Sequence, residues 1–329
     1  MDDGRFVGYP IENHVYQLAA PIRERVYADW KKLSEARASC AKSFGELLQN
    51  GFGETLYELY FRPYNSKIWG CDIENVPASW LAGKFPMPTP RQMLEANERH
   101  LQENEFVHSS FYYPRHGGSQ VIADTLAKGL SVEYDCDVRR INVLRNEGVL
   151  VNGERFDKVF FCGNVKELPG ILEGVDIGAF SSEIAALPYH GTTAVFCETD
   201  PIPYSWFYQS TPRHKSHRFI CTGNFSPDNN ADGKMTCTVE FTDELSKDEI
   251  VRQLALMPFS PRYLCHHYSR YSYPIQRTQT RQMIGNLKEV LAPCGVHLVG
   301  RFAEWEYYNM DIAMESAMKE VECAGVRRL

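Results

Sequence analysis

The sequence predicts a mixed α/β fold, and three observations carry that prediction. Apolar residues recur at three- and four-residue spacing through the first sixty positions, which is helical periodicity. From Val132 onward, short β-branched and aromatic runs are separated by Asn-Gly, Pro and Asp clusters, which is strand-and-turn chemistry. The 329 residues are 43% hydrophobic and 23% charged, an ordinary globular balance in a chain long enough for about two domains.

The elements follow in order. A short extended opening, RFVGYP, precedes helices over Ile22–Leu33 and Ser43–Tyr60. FRPYN reads as a proline-rich corner; Pro77, Pro86, Pro88 and Pro90 break the next stretch, and a polar-faced helix restarts over Arg91–Gln102. FYYPRHGG is extended, Ser119 opens a helix through Lys128, and VEYDCDV, INVL, VLVNG and DKVFFCG read as strands joined by tight Asn and Gly turns. TTAVFCE, SWFYQ, HRFICTG and MTCTVEF predict an antiparallel sheet. Helices over Asp248–Leu256, Thr280–Leu291 and Met310–Cys323 and the strand VHLVG complete the chain. The expected divisions are a helical cap region at 1–110, a partial α/β domain at 111–185, an antiparallel β substrate domain at 186–275, and a return to the α/β domain at 276–329.

Composition narrows the function classes. With 42 acidic residues against 35 basic ones the net charge is -7, which argues against nucleic acid as a partner. No apolar run reaches the roughly 20 residues that span a bilayer, and MDDGRF lacks the order of a signal peptide, so a soluble cytoplasmic protein with no membrane association is expected. The ten cysteines include no C-x-x-C pair and the close histidine pairs have no carboxylate set, so no metal site is expected.

Four clusters stand out, each with a bland and a chemical reading. GRFVGYPIENH is an edge strand entering a helix or an aromatic-polar contact surface. Around Arg62, Lys67, Trp69, Trp80 and Lys84, cations among aromatics read as snorkelling side chains or as a site for a phosphate and a stacked base. In SWFYQSTPRHKSHRF, Trp206 and Tyr208 share a strand face and Arg213, Lys215 and Arg218 follow, which is a solvated loop or a paired-phosphate edge. VHLVGRFAEWEYYNMD ends at a helix start near Asn309–Asp311, where Asp311 is a simple cap or the backbone N–H groups cradle an anion.

Taken in order, RFVGYPIENH, YFRPYNSKIWGCD, FYYPRHGG, SWFY followed by HRF and NFSP, YSYPIQ, and GRFAEWEYYNMD resemble the UDP-galactopyranose mutases, the eukaryotic type in particular, within the amine-oxidase and protoporphyrinogen-oxidase-like flavoproteins. The resemblance implies an incomplete FAD-binding Rossmann-like domain with a helical insertion and an antiparallel substrate-domain sheet. It implies pyranose–furanose ring interconversion of a nucleotide-linked sugar by covalent catalysis at N5 of reduced FAD. By motif position Arg218 and Lys84 hold the diphosphate, lysine standing where the family has an arginine. Tyr9 and Glu12 fall at the base contact, with Glu12 in place of a glutamine. Tyr60, Trp69, Trp206, Tyr208, Tyr273 and Tyr307 line the substrate pocket, Tyr273 and Tyr307 being grouped with Arg218 and Lys84 as catalytic. Arg301, Asn309, Met310 and Asp311 match the segment that touches the flavin.

The family's opening G-x-G-x-x-G unit has no counterpart in this sequence; Gly51-Phe52-Gly53 lies in a helical stretch and takes no cofactor role. The expectation is therefore a truncated or cofactor-impaired mutase-like enzyme, a chain whose incomplete sheet is covered by a partner or a second copy, or a remnant that has abandoned FAD. An amine-oxidase-type oxidoreductase and a non-catalytic binding protein are the alternatives.

Overall fold

The computed structural model describes residues 6–35, 40–81, 87–101, 110–144, 147–230 and 233–326. They form two compact units, residues 1–130 with 191–270 and residues 131–190 with 271–329.

The first unit opens on two 3-10 turns, Ile11–Asn13 and Val15–Gln17, where the sequence suggested an edge strand. The reason is where the backbone bonds go: the Asn97 amide donates to the Glu12 carbonyl at 2.8 Å and its oxygen accepts from Tyr16 N–H at 2.9 Å, so a side chain replaces a strand ladder. Helix Ala20–Glu35 buries Val26 and Trp30, and the Trp30 indole donates to the carbonyl of Phe52 at 2.9 Å. Helix Phe44–Phe52 is capped by Ser43, which accepts from Glu46 N–H at 3.0 Å. It ends at Gly53, whose φ of +87° suits glycine and whose missing Cβ leaves room for Asp29, 2.9 Å from where that atom would stand.

The stretch read as a proline corner is helical. Helix Glu54–Leu56 passes through a π-helical turn, Tyr57–Phe61, into helix Arg62–Trp69. Pro63 lies just past the π turn, where the Arg62 N–H bonds to the Tyr57 carbonyl five residues back. Helix Pro90–Glu98 then starts on a capping box between Thr89 and Gln92.

The sheet runs in the order Arg262–Pro274, Tyr189–Thr199, Met235–Phe241, Ser216–Ile220, Trp206–Tyr208. Alternation decides its two faces. Phe207, Phe219, Val239 and Val195 lie opposite one another strand by strand and bury against Ile250 and Leu254 of helix Lys247–Leu254. Their neighbours Tyr208, Arg218 and Glu240 form a row on the other face.

In the second unit, Ile141–Leu144 pairs antiparallel with Gly148–Val151 and parallel with Leu172–Glu173, and Glu154–Phe156 closes the far edge. Val159–Phe161 runs parallel to Val296–Leu298, joining DKVFFCG and VHLVG as expected. VEYDCDV does not join: residues 131–140 are exposed and form no strand. Its alternation was misleading because nothing packs on either of its faces among the described residues. Helix Thr280–Leu291 buries Met283, Ile284, Leu287 and Leu291 at helical spacing in a core that includes Leu168, Ile184 and Trp305.

Candidate functional site

The predicted site residues fall into two groups, one in each unit, while Lys84 lies outside the described residues.

In the first unit, Tyr208 is the hub. Its ring lies 5.2 Å from that of Tyr9 and 5.2 Å from that of Tyr64, and Tyr64 stacks on Tyr60 at 5.5 Å. Burial and the facing Tyr208 and Glu12 push the Tyr9 hydroxyl above its ordinary pKa, and burial with the facing Tyr9, Tyr208 and Glu12 raises the Tyr60 hydroxyl as well. Glu12 sits among these rings at 6% exposure, and burial pushes its carboxyl up to about 7. Tyr64 was absent from the expected set; it is one helical turn from Tyr60, and the proline corner hid that spacing.

Beside this cage, Arg218 stands between Tyr208 and Glu240 in the strand register. Its Nε and Nη2 both donate to Glu240 Oε2 at 2.6 Å. The side chain keeps 32% exposure, so the carboxylate orients a cation that solvent can still reach. Trp206 lies on the same strand face and packs near Phe111, with ring centres 5.3 Å apart.

Other residues singled out in the sequence have structural partners of their own. Trp69 is buried against Trp80, 4.8 Å away, with its indole N–H on Asn65 at 3.2 Å. Arg62 pairs with Glu58 one turn back at 3.0 Å. Lys67, read as a candidate phosphate ligand, is instead turned into the hairpin loop: its ammonium donates to the carbonyls of Gln209, Thr211, His214 and Ser216 at 2.7 to 3.3 Å. Burial lowers its pKa to about 8, which leaves it a cation at neutral pH.

In the second unit, Arg301 joins Tyr273 and Tyr307. Its guanidinium lies 4.7 Å from the Tyr307 ring and 5.6 Å from that of Tyr273, and donates to the carbonyls of Tyr308 at 2.7 Å and Ser272 at 2.5 Å. Burial lowers its pKa. Helix Met310–Cys323 begins immediately after, with Asn309 at the N-cap in place of Asp311 and no side-chain cap bond. Its first backbone N–H groups therefore have no partner within the helix.

Comparison with known proteins gives the arrangement its context. A crystal structure of reduced UDP-galactopyranose mutase superposes with a TM-score of 0.86 over 98% of this chain and 76% of that chain, at 17% identity. The chain has the UDP-galactopyranose mutase fold. An Exiguobacterium protein assigned as a protoporphyrinogen oxidase shares the architecture more loosely, at TM-score 0.63 and 14% identity over 94% of this chain and 73% of that one. In sequence, the chain is 24% identical over 290 residues to dTDP-fucopyranose mutase of Escherichia coli, covering 86% of this chain and 63% of that protein. The chain thus spans less than two thirds of that relative's length. No protein-family model matches it.

Among the described residues no helix is long and apolar enough to cross a membrane, and no group of three or more His, Cys, Asp or Glu could hold a metal ion.

Proposed function

We propose that this chain binds a uridine or thymidine diphosphate sugar and belongs to the machinery that interconverts its pyranose and furanose forms. The observation that carries the reading is the Tyr208–Arg218–Glu240 row beside the Tyr9–Tyr60–Tyr64 cage. Aromatic rings suit a base and sugar, and a carboxylate-oriented guanidinium suits a diphosphate. The sequence relation to dTDP-fucopyranose mutase and the UDP-galactopyranose mutase fold support it.

The roles follow from charge. When the bond between anomeric carbon and diphosphate breaks, negative charge grows on the leaving oxygen, and a fixed guanidinium stabilises it more than it stabilises the intact ester. This reading assigns that role to Arg218, with Lys84 as the second cation and Tyr60, Trp206 and Tyr208 as walls. Glu240 prevents Arg218 from swinging away when the site is empty.

Flavin is the cofactor of this reading, and the residues fit its ring end. The uncapped start of helix Met310–Cys323 offers unpaired N–H groups to an electron-rich carbonyl edge, and Arg301, Tyr273 and Tyr307 stand close by in the same unit. When bound and reduced, flavin supplies a nucleophilic nitrogen. For the pyrophosphate end the 329 residues contain no G-x-G-x-x-G turn.

Titration of the purified chain with UDP-galactopyranose and dTDP-fucopyranose tests the reading. Saturable binding is expected, and Arg218→Ala weakens it by about 10- to 100-fold, the worth of a charge-assisted hydrogen bond or two. Absence of saturable binding by both nucleotide sugars overturns it. Turnover of an unrelated amine with Arg218→Ala fully active would favour an oxidase.

A further inference from the structure

We infer that Glu12 reads the nucleotide's base in its acid form, one donor and one acceptor facing the adjacent N3–H and C=O of a uracil or thymine, and that ionisation of Glu12 switches this recognition off. The inference rests on the nucleotide-sugar reading above and adds the chemistry by which the base is chosen.

The geometry is that of a carboxyl with nowhere to place a charge. Glu12 is held in the turn Ile11–Asn13, where the Asn97 amide takes its carbonyl. Among the described residues no cation acts on its side chain, and burial dominates the environment of its carboxyl. The titratable groups facing it are the hydroxyls of Tyr9 and Tyr60, whose own ionisation is pushed upward by burial. His14, two residues on, is turned to the carbonyl of Pro10 at 2.9 Å. On helix Pro90–Glu98, which packs against the turn, Asn97 bonds to it, while Glu95 of that helix pairs with Arg99 just beyond its end, at the surface.

A buried carboxylate without a partner gains a proton near neutral pH, here at about 7. The two forms recognise different edges. The acid offers one O–H and one C=O, the same pair that a glutamine amide presents, and it matches an imide edge that offers one acceptor beside one donor. The ionised form offers two acceptors and meets the imide carbonyl with a lone pair. Guanine, which presents N–H and NH2 side by side, suits that ionised form instead.

The test measures the Kd of UDP-galactopyranose between pH 6.0 and 8.5, a range in which its doubly esterified diphosphate does not titrate. For the wild-type chain we expect binding about 30-fold weaker at pH 8.5, as a single essential proton with a pKa near 7 requires. Glu12→Gln keeps the pH 6.0 affinity within about threefold and loses the slope, because an amide does not ionise. A GDP sugar should show the opposite trend in the wild type. A measurement free of any variant uses the 3-methyluridine analogue: it loses affinity at pH 6.0 and equals the parent at pH 8.5. A flat wild-type profile, or an unchanged slope in Glu12→Gln, overturns the inference while the nucleotide reading stands. Failure of every nucleotide sugar at every pH overturns the nucleotide reading itself and this inference with it.

Discussion

Lys67 shows how residue type and residue role separate. From composition it is a cation among aromatics, suited to a phosphate; in the fold its ammonium is surrounded by four carbonyl oxygens of the loop between Trp206–Tyr208 and Ser216–Ile220. The Lys67 backbone is tied as well, its carbonyl accepting from Thr242 Oγ1 at 2.8 Å. That loop joins the strands bearing Tyr208 and Arg218, so Lys67 holds the hairpin that carries them. Lys67→Met should leave those carbonyls without a donor and cost about 2 to 3 kcal/mol. Hydrogen exchange should accelerate at residues 211 to 216 before it does in the sheet core, and Kd for UDP-galactopyranose should rise more than kcat falls. Unchanged exchange in that loop would dismiss the clamp. Nothing in the spacing of FRPYNSKIW announces this role, because the four acceptors lie more than 140 residues along the chain.

At the scale of elements, helix Met310–Cys323 has the boundaries that its sequence periodicity predicts, yet it buries none of its residues. Polar bridges fasten it: Glu320 meets Lys288 at 2.9 Å and His297 at 2.9 Å, and Ser316 donates to Glu304. Burial opposes the charge on Glu320, but the bonds from Lys288 and His297 outweigh it and hold the carboxyl below its ordinary value. A depressed carboxyl stabilises the fold above its unfolded pKa of about 4.3, and that contribution is lost as pH falls through the lower folded value. Glu320→Gln should therefore cost about 1 to 2 kcal/mol at pH 7, and the penalty should shrink as pH falls below the unfolded value, as the wild type loses the same interaction. Urea midpoints at pH 7 and at a series of lower pH values check this; a penalty that does not change with pH would assign the loss to packing. The same scale shows where local pattern misleads. VEYDCDV alternates like a strand but finds no partner, whereas FRPYN carries a proline and is helical because a π-helical turn leads into it.

For the molecule as a whole, the flavin question is one of reach. The residues suited to it, at the start of Met310–Cys323 and around Arg301, concern the ring, which FAD and FMN share. The two cofactors should thus bind the 329-residue chain within about tenfold of each other, a difference of about 1.4 kcal/mol. FAD binding more than about 100-fold tighter would show that this chain also grips the adenosine half. Flavin absorbance and fluorescence quenching report both titrations.

Composition and periodicity determined the mixed α/β class, most helix and strand positions, and the alternation that sets Phe207, Phe219 and Val239 on one sheet face and Tyr208, Arg218 and Glu240 on the other. These are local properties, fixed by which side a residue must face along its own element. The ordered motifs also pointed to the mutase fold before any coordinates. Only the tertiary structure decided which polar groups keep water and which lose it. Glu12 became a buried acid, Lys67 a loop clamp and Trp69 a core residue because desolvation and hydrogen-bond satisfaction depend on neighbours brought from distant parts of the chain.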